Sequence, residues 1–441
     1  MSAKLKSSGI RRIFNLILIA IMSVASATAQ ELLTADDAVG IALKNNYDIL
    51  MATNNAEISR LNNTPGNAGM LPELAVNSSG TYSSNDVEQK FSSGETNSYS
   101  SSGANSLNAG VELNWTLFDG GKMFITKNKL NEIQSLGEIE FKDQVLQTVF
   151  NVLVAYYEVV REKQQLVSIN EVISKNEAIV SILKTSFGAG LTPKTNLLQA
   201  QIDLNVYRES AINQVTAIVA AKRILNQLLS RDANYQFEVV DTIPFDKMPD
   251  KEELSKKLFE NNTSVLMGRK QLEIANLGLK EYKTALLPNL HFNAGYNFLK
   301  SENSYGSLQM NQVYGPQIGA TLSIPIYQAG NAARQVRTAR LQVQSSEYSL
   351  ESTRLEVNSE LQNTLTIYES QLQLLEIERS NTDLARENLD ISIERLRLGQ
   401  TTTLELHQAQ ESYVDSQTRL INFEYYLKVA ETRLKKLMAG L

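Results

Sequence analysis

The chain has 441 residues, 42% hydrophobic and 20% charged, with a formal charge of −6 and no cysteine. This length allows two or three domains or one elongated one. The composition excludes a disordered tail and a multi-span helical membrane protein, since no second apolar run approaches the roughly 18 residues of a spanning helix. The acidic balance argues against nucleic acid as a partner, and the lack of cysteine excludes a disulfide, a thiol nucleophile, a cysteine metal site and a lipid-attachment cysteine.

Residues 1–29 read as a secretory signal peptide. Lys4, Lys6, Arg11 and Arg12 form a basic start, Ile13 to Val24 a short apolar core, and Ala27-Thr28-Ala29 a cleavage site. Losing those four basic residues takes the formal charge from −6 to −10, so an exported, acidic protein is expected.

Thr34 followed by Asp37 predicts a helix N-cap, and the helix should run to about residue 62 before Pro65-Gly66 breaks it. A second helix is expected from Asp250, with Glu253 three residues on, to Leu286. The two share ALKNN (42–46) with LFENN (258–262) and LPEL (71–74) with LPNL (287–290), both at an offset of 216. Each LPxL opens a strand. Leu74, Val76, Ser78, Gly80 and Tyr82 share one face of the first; Leu290, Phe292, Ala294, Tyr296 and Phe298 share one face of its partner. Polar loops are expected at 84–106 and 300–315.

A second strand follows each loop. Val111, Leu113, Trp115 and Leu117 alternate with Glu112, Asn114 and Thr116; Ile318, Ala320, Leu322, Ile324 and Ile326 alternate with Gly319, Thr321, Ser323 and Pro325. That period of two marks strands with one apolar and one polar face. Gly120, Gly121 and Gly330 then turn strand into helix at little steric cost. Gly110 matches Gly319 and Gly121 matches Gly330, an offset of 209, so the chain is a tandem duplication.

Proline-free runs with a coiled-coil rhythm, as in Leu146, Val149, Leu153, Tyr156 and Val160, follow each corner. Nearly 70 residues of helix would be about 100 Å long. The runs end at FGAGLTPKTN (187–196) and LRLGQTTTLE (396–405), and shorter helices return. Gln201 matches Gln410, again at 209, so the long helices should have equal length. Residues 231–249 link the halves.

Four strands of about 11 residues with one polar face have the length and alternation of transmembrane β-strands. In lipid an open sheet edge leaves backbone groups unpaired, and four strands cannot close alone. A barrel must therefore be shared between chains, eight strands from two or twelve from three. Trp115, Phe118 and Tyr327 fall at the strand ends, where aromatic residues form an interfacial belt. The competing reading is an exported trimeric coiled-coil spacer or adhesin without a pore.

The duplicated half, the ALKNN and LPxL segments, the IPIYQAG corner and the paired glycine turns before Q-A-Q helices together resemble the TolC-like outer-membrane efflux proteins, over essentially all of the mature chain. The resemblance implies a mainly α fold with a membrane β-barrel: a homotrimer whose twelve-stranded barrel, built from 71–118 and 287–327, sits among outer-membrane lipid, and whose twelve helices form a periplasmic tunnel. The first repeat would span 30–230, an equatorial linker 231–249 and the second repeat 250–441. The implied function is a passive exit duct opened by a periplasmic adaptor and fed by an inner-membrane transporter, which sets the cargo. By position, Ala189, Gly190, Leu191, Leu398, Gly399 and Gln400 would dock the adaptor. Glu405 and Gln408, with Thr195 and Asn196 across the tip, occupy the place of a periplasmic gate. The family's aspartate pair is incomplete here, and a ring of Glu405 carboxylates would raise their pKa values by mutual repulsion.

No enzyme and no cofactor is expected. His291 and His407 lie on separate elements, and no HExxH, G-x-S-x-G or phosphate-cradling loop occurs.

Overall fold

Two pairs of helices set the dimensions of the molecule, which is described by a computed structural model over residues 31–246, 251–306 and 308–441. The signal-peptide expectation over 1–29, the helix start at Asp250 and the end of the linker lie outside these residues. The elements in order are β1 (Glu31–Leu33), α1 (Ala35–Asn45), α2 (Tyr47–Asn62), β2 (Glu73–Lys90), β3 (Thr96–Asp119), α3 (Lys122–Gly188) and α4 (Lys194–Leu228). The second half adds β4 (Phe237–Val239), α5 (Lys251–Asn261), α6 (Thr263–Lys283), β5 (Asn289–Asn303), β6 (Met310–Ser323), α7 (Asn331–Arg397) and α8 (Thr403–Leu437). α3 and α7 each have 67 residues, and α4 and α8 each have 35. At 1.5 Å per residue the long rods are about 100 Å and the return helices about 52 Å.

A 35-residue helix cannot cover a 67-residue rod. α2 and α6 cover the remainder, and the joint where one short helix ends and the next begins is a single asparagine. Asn46 Oδ1 accepts from the backbone N–H of Asp48 and Ile49 at 2.9 and 3.3 Å, capping α2. Its Nδ2 donates to the carbonyl of Leu228, the last residue of α4, at 2.9 Å. Asn262 repeats the arrangement, accepting from Val265 N–H at 3.2 Å and donating to the Leu437 carbonyl at 3.0 Å. Both asparagines are buried, with nearly equal backbone angles (φ −64°, ψ 126° and φ −61°, ψ 124°). The single helix expected over 35–62 is therefore two, as is its partner: the second asparagine of each NN pair leaves the helical region so that its amide can serve two helix ends at once. At the start of α1 the expected Thr34–Asp37 capping box is present.

The strands form one antiparallel sheet in the order β2-β3-β5-β6. They have 18, 24, 15 and 14 residues, longer than the expected 11, and they take in most of the segments expected as loops at 84–106 and 300–315. Ser, Asn and Thr carry no apolar periodicity, yet their backbones pair as well as any others. β6 ends at Ser323, so Ile324, Ile326 and Tyr327 lie beyond the sheet. Leu117 is also displaced: the register shifts between Thr116 and Phe118, and Leu117 is the extra residue of a bulge. At the corners Gly120 and Gly121 have φ of 72° and 84° and Gly330 has 74°, in the left-handed region where a Cβ is penalised.

The linker takes part in the core, which the sequence pattern did not reveal. β1 and β4 pair in parallel and close over α3 with Leu33, Tyr156, Leu225, Leu229 and Phe237, all fully buried. The Tyr156 hydroxyl donates to the Leu33 carbonyl at 3.0 Å and accepts from Val240 N–H at 3.4 Å. Burial pushes that phenol's pKa up. A buried hydroxyl with both bonds made fixes where the N-terminal strand and the linker meet on the rod.

Candidate functional site

The sheet has two chemically different faces, and the cross-strand register sorts residues onto them in rows. One face carries Phe118, Leu290 and Leu322; then Trp115, Phe292 and Ala320; then Leu74, Leu113, Ala294 and Ile318; then Val76, Val111, Tyr296 and Pro316; then Ser78, Ala109, Phe298 and Tyr314. From Leu290 to Phe298 this band runs about 27 Å along the strand. Strands tilted by about 40° would make it about 21 Å tall, close to the apolar band of about 25 Å in outer-membrane barrels. Aromatic side chains crowd both margins, and Lys300 and Glu302 follow on the same face just past the upper one. Trp115 Nε1 donates to the Met70 carbonyl at 2.9 Å, fixing the ring at the lower margin. None of the described residues covers this face: Leu74, Val76 and Ile318 are each more than 70% exposed.

The opposite face is polar. Its rows read Glu73, Asn114, Asn293, Gly319; Ala75, Glu112, Gly295, Gln317; and Asn77, Gly110, Asn297, Gly315. Asparagines lie flat over the neighbouring glycines: a Cβ on Gly110 would meet Asn297 Oδ1 at 2.9 Å, and one on Gly319 would meet Asn293 Oδ1 at 2.8 Å. The effect is a thin hydrophilic wall. Its low end carries Thr116 and His291, in contact at 3.2 Å.

Among the described residues, two flanks of the helices have no partner. α7 exposes Leu341, Tyr348 and Leu355 at sevenfold spacing, then Ile377, Leu384 and Ile391 at the same spacing, which its C-cap Leu398 continues. α4 and α2, joined at Asn46, expose a second stripe that includes Leu198, Ile202 and Ile212 on one and Tyr47, Met51 and Ile58 on the other. These stripes were missed in reading the sequence. The heptads of α7 are visible there, but a shift of one residue between Leu355 and Ile377 breaks their phase. The sheet is likewise open at both edges, β2 and β6.

At the tips both glycines adopt the left-handed conformation, φ 76° at Gly190 and 70° at Gly399. Gly190 N–H donates to the Phe187 carbonyl at 3.0 Å and Leu191 N–H to the Ser186 carbonyl at 2.8 Å; Gly399 and Gln400 repeat this with Leu396 and Arg395, at 3.0 and 2.8 Å. Both helices thus end in the same Schellman motif, with Ala189 and Leu398 as C-caps. Leu191 and Leu398 are exposed apolar side chains on the end surface.

The return helices start differently. Thr402 caps α8, with its hydroxyl accepting from Glu405 N–H at 3.2 Å, and the Glu405 carboxylate accepts from Thr402 N–H at 3.3 Å and from the Thr401 hydroxyl at 2.5 Å. The Thr401 hydroxyl, with Thr402 N–H, holds the Glu405 carboxyl below the usual carboxylate range. In the first repeat Pro193 stands at the cap without a side-chain bond, and Asn196 Nδ2 donates to the Thr192 hydroxyl at 3.1 Å. Thr195 and Gln408 complete the positions expected at the gate.

The hydrogen bonds of both capping boxes favour the ionised carboxylate over the protonated one. Thr34 lowers the pKa of Asp37 through side-chain and backbone hydrogen bonds, as Thr401 and Thr402 do for Glu405. A carboxyl with a lowered folded-state pKa stabilises the fold above its unfolded value, and that contribution is lost as pH falls through the folded value. Acid should therefore fray the first turns of α1 and α8 before the rods. Protection of the Asp37 and Glu405 amides against hydrogen exchange, relative to the unfolded chain at the same pH, should fall below about pH 4, while protection in the middle of α3 stays high.

Residues 38–231 and 254–440 match the family model described as outer membrane efflux protein. The outer membrane protein TolC of Escherichia coli is 24% identical over 293 residues, 62% of this chain and 55% of that protein. TolC of Vibrio cholerae is 23% identical over 199 residues, 43% of this chain and 44% of that protein. The chain thus spans about half the length of the curated relatives it matches. Among solved structures, the Campylobacter jejuni CmeC outer membrane channel superposes with a TM-score of 0.76 at 17% identity, covering 92% of this chain and 85% of that one. The Vibrio cholerae outer membrane protein VceC gives 0.75 at 16%, covering 92% and 96%. At these identities the superpositions establish the fold, in which long paired helices carry a four-stranded sheet. With its two repeats covered in turn by the family model, the chain belongs to the outer membrane efflux protein family and is a protein of the outer membrane.

Proposed function

We propose that three copies of this chain close into a passive outer-membrane exit duct. The observation that carries this reading is the sheet: one face with a continuous apolar band, the other lined mainly by Asn, Gly, Glu and Gln at the same level, both edges unpaired. In lipid every backbone N–H and C=O must be paired, so β6 of one copy meets β2 of the next and twelve strands close. The apolar stripe on α7 then faces the stripe on α4 and α2 of the neighbour. Two different flanks make a head-to-tail contact, and such contacts build rings when the rotation closes. Apolar rows face hydrocarbon, the asparagine and glycine rows face water, and the rods surround a periplasmic tunnel. A periplasmic adaptor engages Ala189, Gly190, Leu191, Leu398, Gly399 and Gln400, and an inner-membrane transporter supplies cargo.

Purified protein in planar bilayers tests the duct. Trimeric mass in detergent and discrete conductance steps are expected; a detergent-free monomer without conductance would sink the reading. The gate is placed at Glu405 and Gln408, with Thr195 and Asn196 opposite. Glutamine also closes a capping box, so Glu405→Gln removes charge and keeps the helix start. The cation-to-anion permeability ratio should fall severalfold, and an unchanged ratio would take Glu405 out of the gate.

A further inference from the structure

A groove of about 440 Å³ lies on the outward face of the sheet, just past the apolar band on the side away from the helices. Gly80, Tyr82, Asn105, Leu107, Lys300 and Glu302 line it. The strand register explains the recess. Gly80, Leu107 and Lys300 form one row, and Tyr82, Asn105 and Glu302 the next. Gly80 contributes no side chain, and a Cβ there would have no atom within 4 Å. Tyr82 leans away from it: a Cβ on Gly103 would meet the Tyr82 Cε2 at 3.5 Å and its hydroxyl at 3.6 Å. The ring thus lies over Gly103, where no side chain lifts it, and is 72% exposed. Lys300 pairs with Glu302 at 2.6 Å. Among the described residues these two are the first charges met on this face beyond the row of Phe298.

We propose that this groove binds the head group of a sugar-bearing lipid whose chains lie against the apolar band. Position makes the occupant a lipid. Lys300 and Glu302 stand about 5 and 10 Å above the row of Phe298 when the strands tilt by about 40°. The polar layer of a bilayer begins at that level and is about 5–8 Å thick. Leu107 and the methylenes of Lys300 meet the first carbons of the chains, and the ammonium reaches the head groups. Chemistry then selects the head. Glu302 cancels the charge of Lys300, so charge alone does not hold a bare anion here. The groove offers donors and acceptors together instead. Glu302 and the Asn105 side-chain carbonyl accept, while the Asn105 amide, the Tyr82 hydroxyl and the remaining N–H groups of Lys300 donate. Sugar hydroxyls do both, and the open face of Tyr82 gives the apolar side of a sugar ring a surface to lie on. A phosphate on the same head would meet the Lys300 ammonium.

The lipid site rests on the duct reading, which turns this face toward hydrocarbon, and the experiment separates the two. The full chain is purified from mixed micelles holding equal amounts of phosphatidylglycerol and of a lipid with a phosphorylated disaccharide head. Retained lipid is counted by native mass spectrometry. Wild type should keep one sugar-headed lipid per copy and favour it about tenfold, a margin that one or two net hydrogen bonds supply. Tyr82→Ala and Lys300→Gln should each lower its retention about fivefold. Gly80→Leu, whose side chain fills the recess, should abolish it. All three variants should keep wild-type conductance steps in planar bilayers, because the groove lies outside the wall of the pore. Full retention in Gly80→Leu, or equal retention of the two lipids, overturns the site while the conductance steps leave the duct standing. Displacement by the chain-free phosphorylated disaccharide at the same concentration would make the ligand a soluble sugar and overturn the lipid assignment. A detergent-free monomer without conductance overturns the duct, and the lipid site with it.

Discussion

Tryptophan in place of Gly190 or Gly399 is expected to abolish efflux while the protein still reaches the outer membrane as a trimer. Both glycines sit at the turning point of a helical hairpin with φ of 76° and 70°. A Cβ at either position would have no atom within 4 Å, so the substitution adds bulk to an open surface and disturbs no packed core. The backbone cost of a side chain in the left-handed region is about 1–2 kcal/mol, confined to one turn. Gly190→Ala and Gly399→Ala carry that same cost without the bulk, and should keep most transport. Accumulation of a fluorescent substrate in cells, read beside trimer crosslinking in outer-membrane fractions, separates the cases. Tryptophan variants that pump at the wild-type rate would mean that no adaptor docks on these tips.

A large loss of stability is expected for Asn46→Ala and Asn262→Ala. Each removes an N-cap, about 1 kcal/mol, and leaves the Leu228 or Leu437 carbonyl without its partner, about 1–3 kcal/mol when buried. The total is about 2–4 kcal/mol at each joint, and the two should add, since they share no partners. Asn46→Asp divides the contributions: the carboxylate still caps α2 but has no N–H for Leu228 and sets charge against its carbonyl. Denaturant midpoints in detergent should fall from wild type to Asn46→Asp to Asn46→Ala. An Asn46→Asp protein as stable as wild type would show that the link to α4 contributes nothing.

The rods, corners and tips could be read in the sequence because each rests on a strong local signal. A constant offset of 209 between Gly121 and Gly330 and between Gln201 and Gln410 requires equal helices, and both rods have 67 residues. Period-two alternation around Trp115 and Phe292 identified the strands. Their length was hidden because Ser98, Asn105 and Ser301 pair through backbone alone and leave no hydropathy trace. The breaks at Asn46 and Asn262 were hidden for a related reason: each needs a distant carbonyl, Leu228 at 182 residues or Leu437 at 175, to make leaving the helix favourable. β1 and β4, three residues each, pair across roughly 200 positions of chain. The Glu405 cap was within reach, since Thr402-x-x-Glu405 is the same signal as Thr34-x-x-Asp37.

The asparagine joints govern how such a molecule deforms. Each 67-residue rod passes its joint without interruption, as a splint passes a fracture. Stretching or folding the assembly there would mean breaking the splint. Swivelling one short helix about it costs only side-chain contacts. The amide that ties the two short helices sits on the pivot, where a swivel moves it least, so a return helix can turn about its rod while the short helix nearer the sheet holds still.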